Sequence, residues 1–342
     1  MKILLLSLIL FFATNNLIAD NLHKKNKVAV IYSDQFLLHN TGKNHPENPS
    51  RLLSVVEDLI SNPLLKPYLI WPKFTPATTD QLQLAHTKGY IKTVGLETDL
   101  LKNNSISYLS TGDTVISKQS DHVARLAVGA GIKAVDMIMS EEINSAFALV
   151  RPPGHHATAS RGMGFCIYNN VAIVARHLQQ QHGLKKILIV DFDVHHGNGT
   201  QDLLWHEPKT LFCSMHQSPL WPGSGTIDET GAFDNVLNIP IASKTAGDGV
   251  RSSFNEIIIP KLEEFKPELL IISAGFDAHI SDPLANLELV EEDYEWITHE
   301  LCDVVDKHCN GRLVSSLEGG YNLEALAASV AVHVKVLMER SK

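Results

Sequence analysis

From residue 145 onward the chain alternates between short apolar runs and longer stretches with helical spacing. The runs SAFALV (145–150), KKILIV (185–190), KTLFCSM (209–215), ELLIIS (268–273) and GRLVSSL (311–317) are short and carry apolar residues at successive positions. That pattern predicts strands buried on both faces. Between them, segments near 168–182, 249–265, 291–309 and 322–338 show helical periodicity. Strands of this kind alternating with helices imply a parallel sheet covered on both sides. Upstream, Val28–Tyr32 reads as a further strand, and Pro46 and Pro49 forbid a helix before residue 49. After that, Leu52, Leu53, Val56, Leu59 and Ile60 recur at helical spacing, and Ser120 to Ser140 predicts a long helix. With no repeat, low-complexity segment or linker, the expectation is one α/β domain spanning 24–342.

The first twenty residues break the pattern. MKILLLSLILFFATNNLIAD has one basic residue, an apolar run from Ile3 to Ala13 and a polar stretch ending at Ala19. This is the layout of a secretory signal peptide over 1–19, too short to span a bilayer comfortably. It predicts an exported, periplasmic or secreted protein, the alternative being a cytoplasmic one.

Composition narrows the partners. The 342 residues are 44% hydrophobic and 20% charged, ordinary for a globular chain. The net charge of −9 argues against nucleic acid or an anionic membrane as the main partner. Cys166, Cys213, Cys302 and Cys309 form no CxxC pair, and Cys302 and Cys309 are too far apart along one helix to bond, so all four are expected as thiols. Seventeen histidines invite a search for clusters.

In open α/β sheets, sites lie at the carboxyl ends of the strands. The predicted strands are followed by RPPGHHA, DFDVHHGN, HQSPLWPGSG, AGFDAHISDPL and EGGYN, so each of the five ends carries groups able to bind a metal or move protons. Asp193 and His195 are two apart and point to one side of an extended segment. With Asp277 as the best third ligand, they make two carboxylates and one imidazole, the open set of a catalytic zinc site. His155 and His156 can supply imidazoles for proton transfer, with Asp191 and Asn198 suited to fixing their tautomers. Gly319 and Gly320 let the backbone bring the Tyr321 phenol into a pocket as an oxyanion donor. His196 has no evident chemical role.

RPPGHHA, GFCIYNN, VDFDVHHGNGT, SAGFDAH with DPL, and LEGGYN resemble the signature set of the zinc-dependent histone deacetylase family, which includes bacterial deacetylases and acetylpolyamine amidohydrolases. HPENPSR and LAHTKGYI extend the resemblance over roughly 28–338, and the wording is closer to the class II branch. The resemblance implies an arginase/deacetylase-like domain with an eight-stranded parallel sheet and helices on both faces. It implies Zn2+ on Asp193, His195 and Asp277, with His156 as general base and acid. His155 would act mainly electrostatically, paired with Asp191 as His156 is with Asn198, and Tyr321 would polarise the carbonyl. Gly164 and Phe165 match one wall of an acyl-lysine tunnel and Trp221, where phenylalanine is commoner, the other. Arg51 matches an arginine near an inner acetate-release cavity. Asp191, Asp193, His195 and Ser214 match a structural K+ site.

The implied reaction is hydrolysis of N6-acetyl-lysine in peptides or proteins, releasing acetate. Polyamine-selective members carry an acidic residue after DP, where this chain has Leu284, so the expectation favours acetyl-lysine, with an acetylpolyamine or other small N-acyl amide as the alternative. A ureohydrolase should show a DxHxD motif, and a non-catalytic relative should have lost Tyr321, a ligand or a histidine. Neither condition is met.

Overall fold

The computed structural model describes residues 27–341; the expected leader lies outside them. Among the described residues ten strands are present: β1 (Val28–Ile31), β2 (Leu69–Ile70), β3 (Ile106–Tyr108), β4 (Val115–Ser117), β5 (Ser145–Ala148), β6 (Ile187–Asp191), β7 (Thr210–Gln217), β8 (Val236–Ile241), β9 (Leu269–Ala274) and β10 (Leu313–Leu317). Eight form one sheet in the order β2-β1-β5-β10-β9-β6-β7-β8, every pairing parallel. This is the expected eight-stranded α/β domain. The five strands whose following loops carry the candidate chemistry, β5, β10, β9, β6 and β7, are consecutive neighbours at its centre. Their residues are buried throughout, which is why their sequences read as unbroken apolar runs.

Helices Ser50–Ser61, Glu291–His308 and Leu323–Arg340 pack together on one face, and Ser120–Met139 and Asn170–Gln181 on the other. Gly131 permits the approach of the last two, where a Cβ would lie 2.7 Å from Val174, and Gly129 lets the loop at Thr75 pack on the same helix, its Cβ falling 2.0 Å from the Thr75 carbonyl oxygen. The helix expected over 249–265 is interrupted. Gly247–Ser253 passes through a π turn at Phe254–Ile258 into Ile259–Phe265. Pro260 has no N–H to offer Glu256, and the Ile259 N–H bonds back to the Phe254 carbonyl instead.

Two edge strands were not foreseen. β2 has two residues, and β8 contains Asn238 and Pro240, tolerated because an edge strand does not need every N–H. The β3–β4 hairpin, outside the main sheet, was likewise unmarked. All four cysteines are buried and free. No helix among the described residues is long and apolar enough to cross a membrane.

Candidate active site

The loops after β6 and β9 bring three ligand-type side chains together. β6 ends at Asp191 and the chain bends over residues 193–195; Phe192 and Val194 are buried in the core, while the bend brings the Asp193 and His195 side chains beside Asp277. Phe192 packs edge to face on Phe276, which fixes the two loops against each other. His195 Nδ1 lies 3.2 Å from Asp193 Oδ1 and 3.1 Å from Asp277 Oδ2. Backbone N–H groups hold the carboxylates: Gly319 donates to Asp193 Oδ2 at 2.8 Å and Val194 to Asp277 Oδ1 at 2.9 Å.

This donor set suits a zinc-like cation. One nitrogen and carboxylate oxygens from two aspartates lie within 4.8 Å of one another. Two glycines open the cradle: a Cβ on Gly319 would sit 2.2 Å from Asp277 Oδ2, and one on Gly275 2.1 Å from Asp193 Oδ2. The electrostatics call for positive charge. Burial, then the Asp193 charge, pushes the Asp277 carboxyl above its ordinary value. Burial would lower His195, but hydrogen bonds and charges of both aspartates outweigh it and raise it to about 10.

The two histidines of the loop after β5 have rings 3.9 Å apart and opposite characters. His155 Nδ1–H donates to Asp191 Oδ2 at 2.9 Å. Burial alone would neutralise His155, yet the charges of Asp191, Asp193 and Glu318 hold its pKa well above the ordinary value. His156 Nδ1–H donates to Asn198 Oδ1 at 2.8 Å, which leaves the Nε2 lone pair free. Burial, then the neighbouring charges of His155 and His195, pushes His156 well below the ordinary imidazole value. The surroundings therefore favour the charged form of His155 and the neutral form of His156.

A cavity of about 270 Å3 leads to this centre, lined by Gly164, Phe165, His156, His195, Trp221 and Tyr321, with Leu220, Leu284 and Asp113 completing it. Its narrowness depends on Gly164, at φ +56°, where a Cβ would meet His156 at 2.4 Å and Trp221 at 2.5 Å. Phe165, also left-handed at φ +68°, sets its ring edge to face with His45 and Tyr321. Trp221 packs edge to face on His156 at 4.6 Å. Tyr321 is held by its N–H, donated to Asp282 Oδ2 at 2.7 Å, and burial keeps its phenol well above the ordinary pKa, hence protonated.

The profile of the histone deacetylase domain matches residues 45–337. The chain belongs to the histone deacetylase family. It is 36% identical to histone deacetylase 14, chloroplastic, of Arabidopsis thaliana, over 96% of this chain and 81% of the relative. It is also 36% identical to a probable deacetylase of Archaeoglobus fulgidus, over 86% of this chain and 81% of that one. Among solved structures, the HDA15 HD domain superposes with a TM-score of 0.85 at 34% identity, covering 92% of this chain and 89% of that one.

Within this deacetylase fold, not every expected residue lines the cavity. Arg51 is wholly buried behind Tyr321: its guanidinium lies 4.9 Å from the ring centroid and donates to the carbonyls of Glu318 and Gly320, each at 2.6 Å. Ser214 stands opposite Asp191 in the β6–β7 register, its hydroxyl 3.0 Å from His216 Nδ1. His196 bridges Ser224 Oγ at 2.8 Å and Gln201 Oε1 at 3.0 Å, fastening the segment after Trp221 to the helix Asn198–Leu204.

Four residues had no assigned part. Glu318 accepts from the N–H groups of Gly154 and His155 and from Ser273 Oγ, with burial raising it to about 7. Arg151 makes a bidentate pair with Glu47, both contacts 2.8 Å, and donates to the carbonyls of Phe36 and His39. Those three sit inside quoted motifs, beside residues with more obvious chemistry. Asp113, on the β3–β4 turn, accepts from the Gly164 N–H at 3.0 Å, and no apolar run pointed to its loop.

Proposed function

We propose that this family member is a zinc-dependent deacetylase acting on N6-acetyl-lysine in peptides or proteins. The observation that carries the reading is the apolar passage between Phe165 and Trp221, which ends on a neutral imidazole, a protonated phenol and the Asp193–His195–Asp277 donor set. Zinc on those three residues would supply Lewis acidity at an open coordination position. His156 Nε2 takes the proton of the attacking water and returns it to the departing amine. The Tyr321 O–H donates to the oxyanion that develops on the acyl carbonyl, and the His155 cation adds to the field that favours it. The two aromatic walls keep bulk water from the acyl group. A structural K+ beside Asp191 and Ser214 is part of the same proposal; burial raises the Asp191 carboxyl to about 6, and a cation would relieve that cost.

A second reading, hydrolysis of acetylated polyamines, is favoured by one observation: Asp113 places an exposed carboxylate on the cavity. That carboxylate is screened by solvent and already accepts from Gly164, whereas Leu284 is apolar, so the lysine reading is preferred. Steady-state kinetics on acetyl-lysine peptides and on acetylated spermidine and putrescine, with and without a chelator, separates the two. The expected result is chelator-sensitive turnover with higher kcat/KM on the peptides. His156→Ala and Tyr321→Phe should each reduce kcat by roughly 10^2–10^3-fold or more at unchanged metal content. A polyamine preference would overturn the substrate assignment, and near-normal turnover in either variant the mechanism.

A further inference from the structure

A second group of metal-ligating side chains meets on the flank of the molecule, and none of it lines the active-site cavity. Asp136 lies in the last turn of the Ser120–Met139 helix, His177 within the Asn170–Gln181 helix, and His182 at that helix's C-terminal cap. The Nε2 atoms of His177 and His182 each lie 2.9 Å from the same oxygen, Asp136 Oδ1. In a continuous helix, residues five apart point about 140° away from each other. Here the helix stops: Gly183 takes φ +71°, and the Leu184 N–H reaches back to the Leu178 carbonyl at 3.4 Å. His182, at the cap itself, has φ −109° and ψ −5°, and its ring reaches that of His177 with centroids 5.6 Å apart.

We propose that Asp136, His177 and His182 form a second metal site, taking one first-row divalent transition-metal ion, for which Zn2+ is the probe, through one carboxylate oxygen and two imidazole Nε2 atoms. Two imidazoles and a carboxylate, with no thiolate, suit Zn2+, Ni2+ or Cu2+ better than Ca2+ or Mg2+. All three residues line a cavity open to solvent, from which water can complete the coordination. Bonds of 2.0–2.1 Å in a tetrahedral site place donor atoms about 3.3 Å apart. The two observed 2.9 Å contacts each need to open by about 0.4 Å, the three ligand atoms already lie within 4.8 Å of one another, and the His182 and Asp136 side chains are 25% and 45% exposed. Burial would raise the Asp136 carboxyl, but hydrogen bonds from both histidines hold it below its ordinary value, ionised and ready to ligate. The bound ion would tie the end of one helix to the end of the next. The second of these helices begins beside the histidine loop, where Asn169 and Asn170 donate to the Ala157 and Pro152 carbonyls.

The test uses untagged full-length protein, equilibrated in trace zinc and then titrated with Zn2+, reading bound metal by mass spectrometry after gel filtration and Tm in parallel. The proposal expects one equivalent of zinc, accompanied by a rise in Tm, that is lost in both Asp136→Asn and His182→Ala. The loss of affinity should be at least about 10–100-fold, the cost of removing even an outer-sphere partner. Because the variants assign the equivalent, the result stands whether or not the strand-end site is loaded, and independently of the reaction proposed above. Far-UV circular dichroism checks that the variants are folded; His182 sits at a helix end, so its truncation leaves the core intact. Wild-type protein with no zinc equivalent that depends on these residues, or an equivalent that survives in either variant, would overturn the site.

Discussion

His155 and His156 are adjacent in sequence and nearly equally buried, yet their surroundings push their pKa values in opposite directions. Burial lowers both, but the charges of Asp191, Asp193 and Glu318 outweigh it at His155, whereas the charges of His155 and His195 add to it at His156, whose Nδ1 partner is a neutral amide. Replacing the Asn198 amide by a carboxylate, Asn198→Asp, puts a negative charge about 2.8 Å from His156 and should raise its pKa. A general base works only when deprotonated, so the acidic limb of kcat/KM should move to higher pH in the variant. A pH–rate profile unchanged from wild type would show that His156 is not the group being titrated. The tautomer partners were readable from residue type alone, since an Asp and an Asn beside the ligands have few other tasks. Glu318 was not, because its role depends on the N–H groups of a loop 164 residues away.

At the scale of elements, the central strands are legible because burial on both faces removes polar positions from them. The edges are not: β2 is two residues long, and β8 mixes Asn238 and Pro240 with apolar residues. The segment HPENPSR, which leads into the Ser50–Ser61 helix, carries a buried ion network that is silent in the pattern. Glu47 is fully buried and faces Arg151, Arg51 and His39. Burial would raise its carboxyl, but Arg151, by charge and hydrogen bonds, lowers it from the ordinary 4.5 to about 2. A folded-state pKa below the unfolded one contributes stability that is present above pH 4.5 and lost as pH falls towards 2. Glu47→Gln leaves Arg151 without its countercharge and should destabilise the fold by about 3–5 kcal/mol at pH 7. In urea unfolding, that gap should narrow as the pH is lowered through 4.5. A gap independent of pH would mean that the Glu47 charge is not what stabilises this segment.

For the molecule as a whole, the sheet order decides the function. Asp193 and Asp277 are 84 residues apart in the chain, and meet because β6 and β9 are neighbours with paired ends. Export through residues 1–19 remains a proposal at this scale: N-terminal sequencing of protein from the native cell should find a chain beginning at residue 20, in an extracytoplasmic fraction. An intact Met1 confined to cytosol would refute it. The sequence by itself determined the fold class, the strand ends to inspect and the residue types gathered there, because two-sided burial and the close spacing of Asp191, Asp193 and His195 are local properties of a few residues. Only the tertiary structure decided the rest. Arg51 lies behind Tyr321 and not on the cavity wall, Asp113 arrives from a hairpin outside the sheet, and Asp136 meets His177 and His182 across two helices. Each of those placements depends on packing between segments far apart in the chain, and no local pattern of apolar and polar residues encodes such a distance.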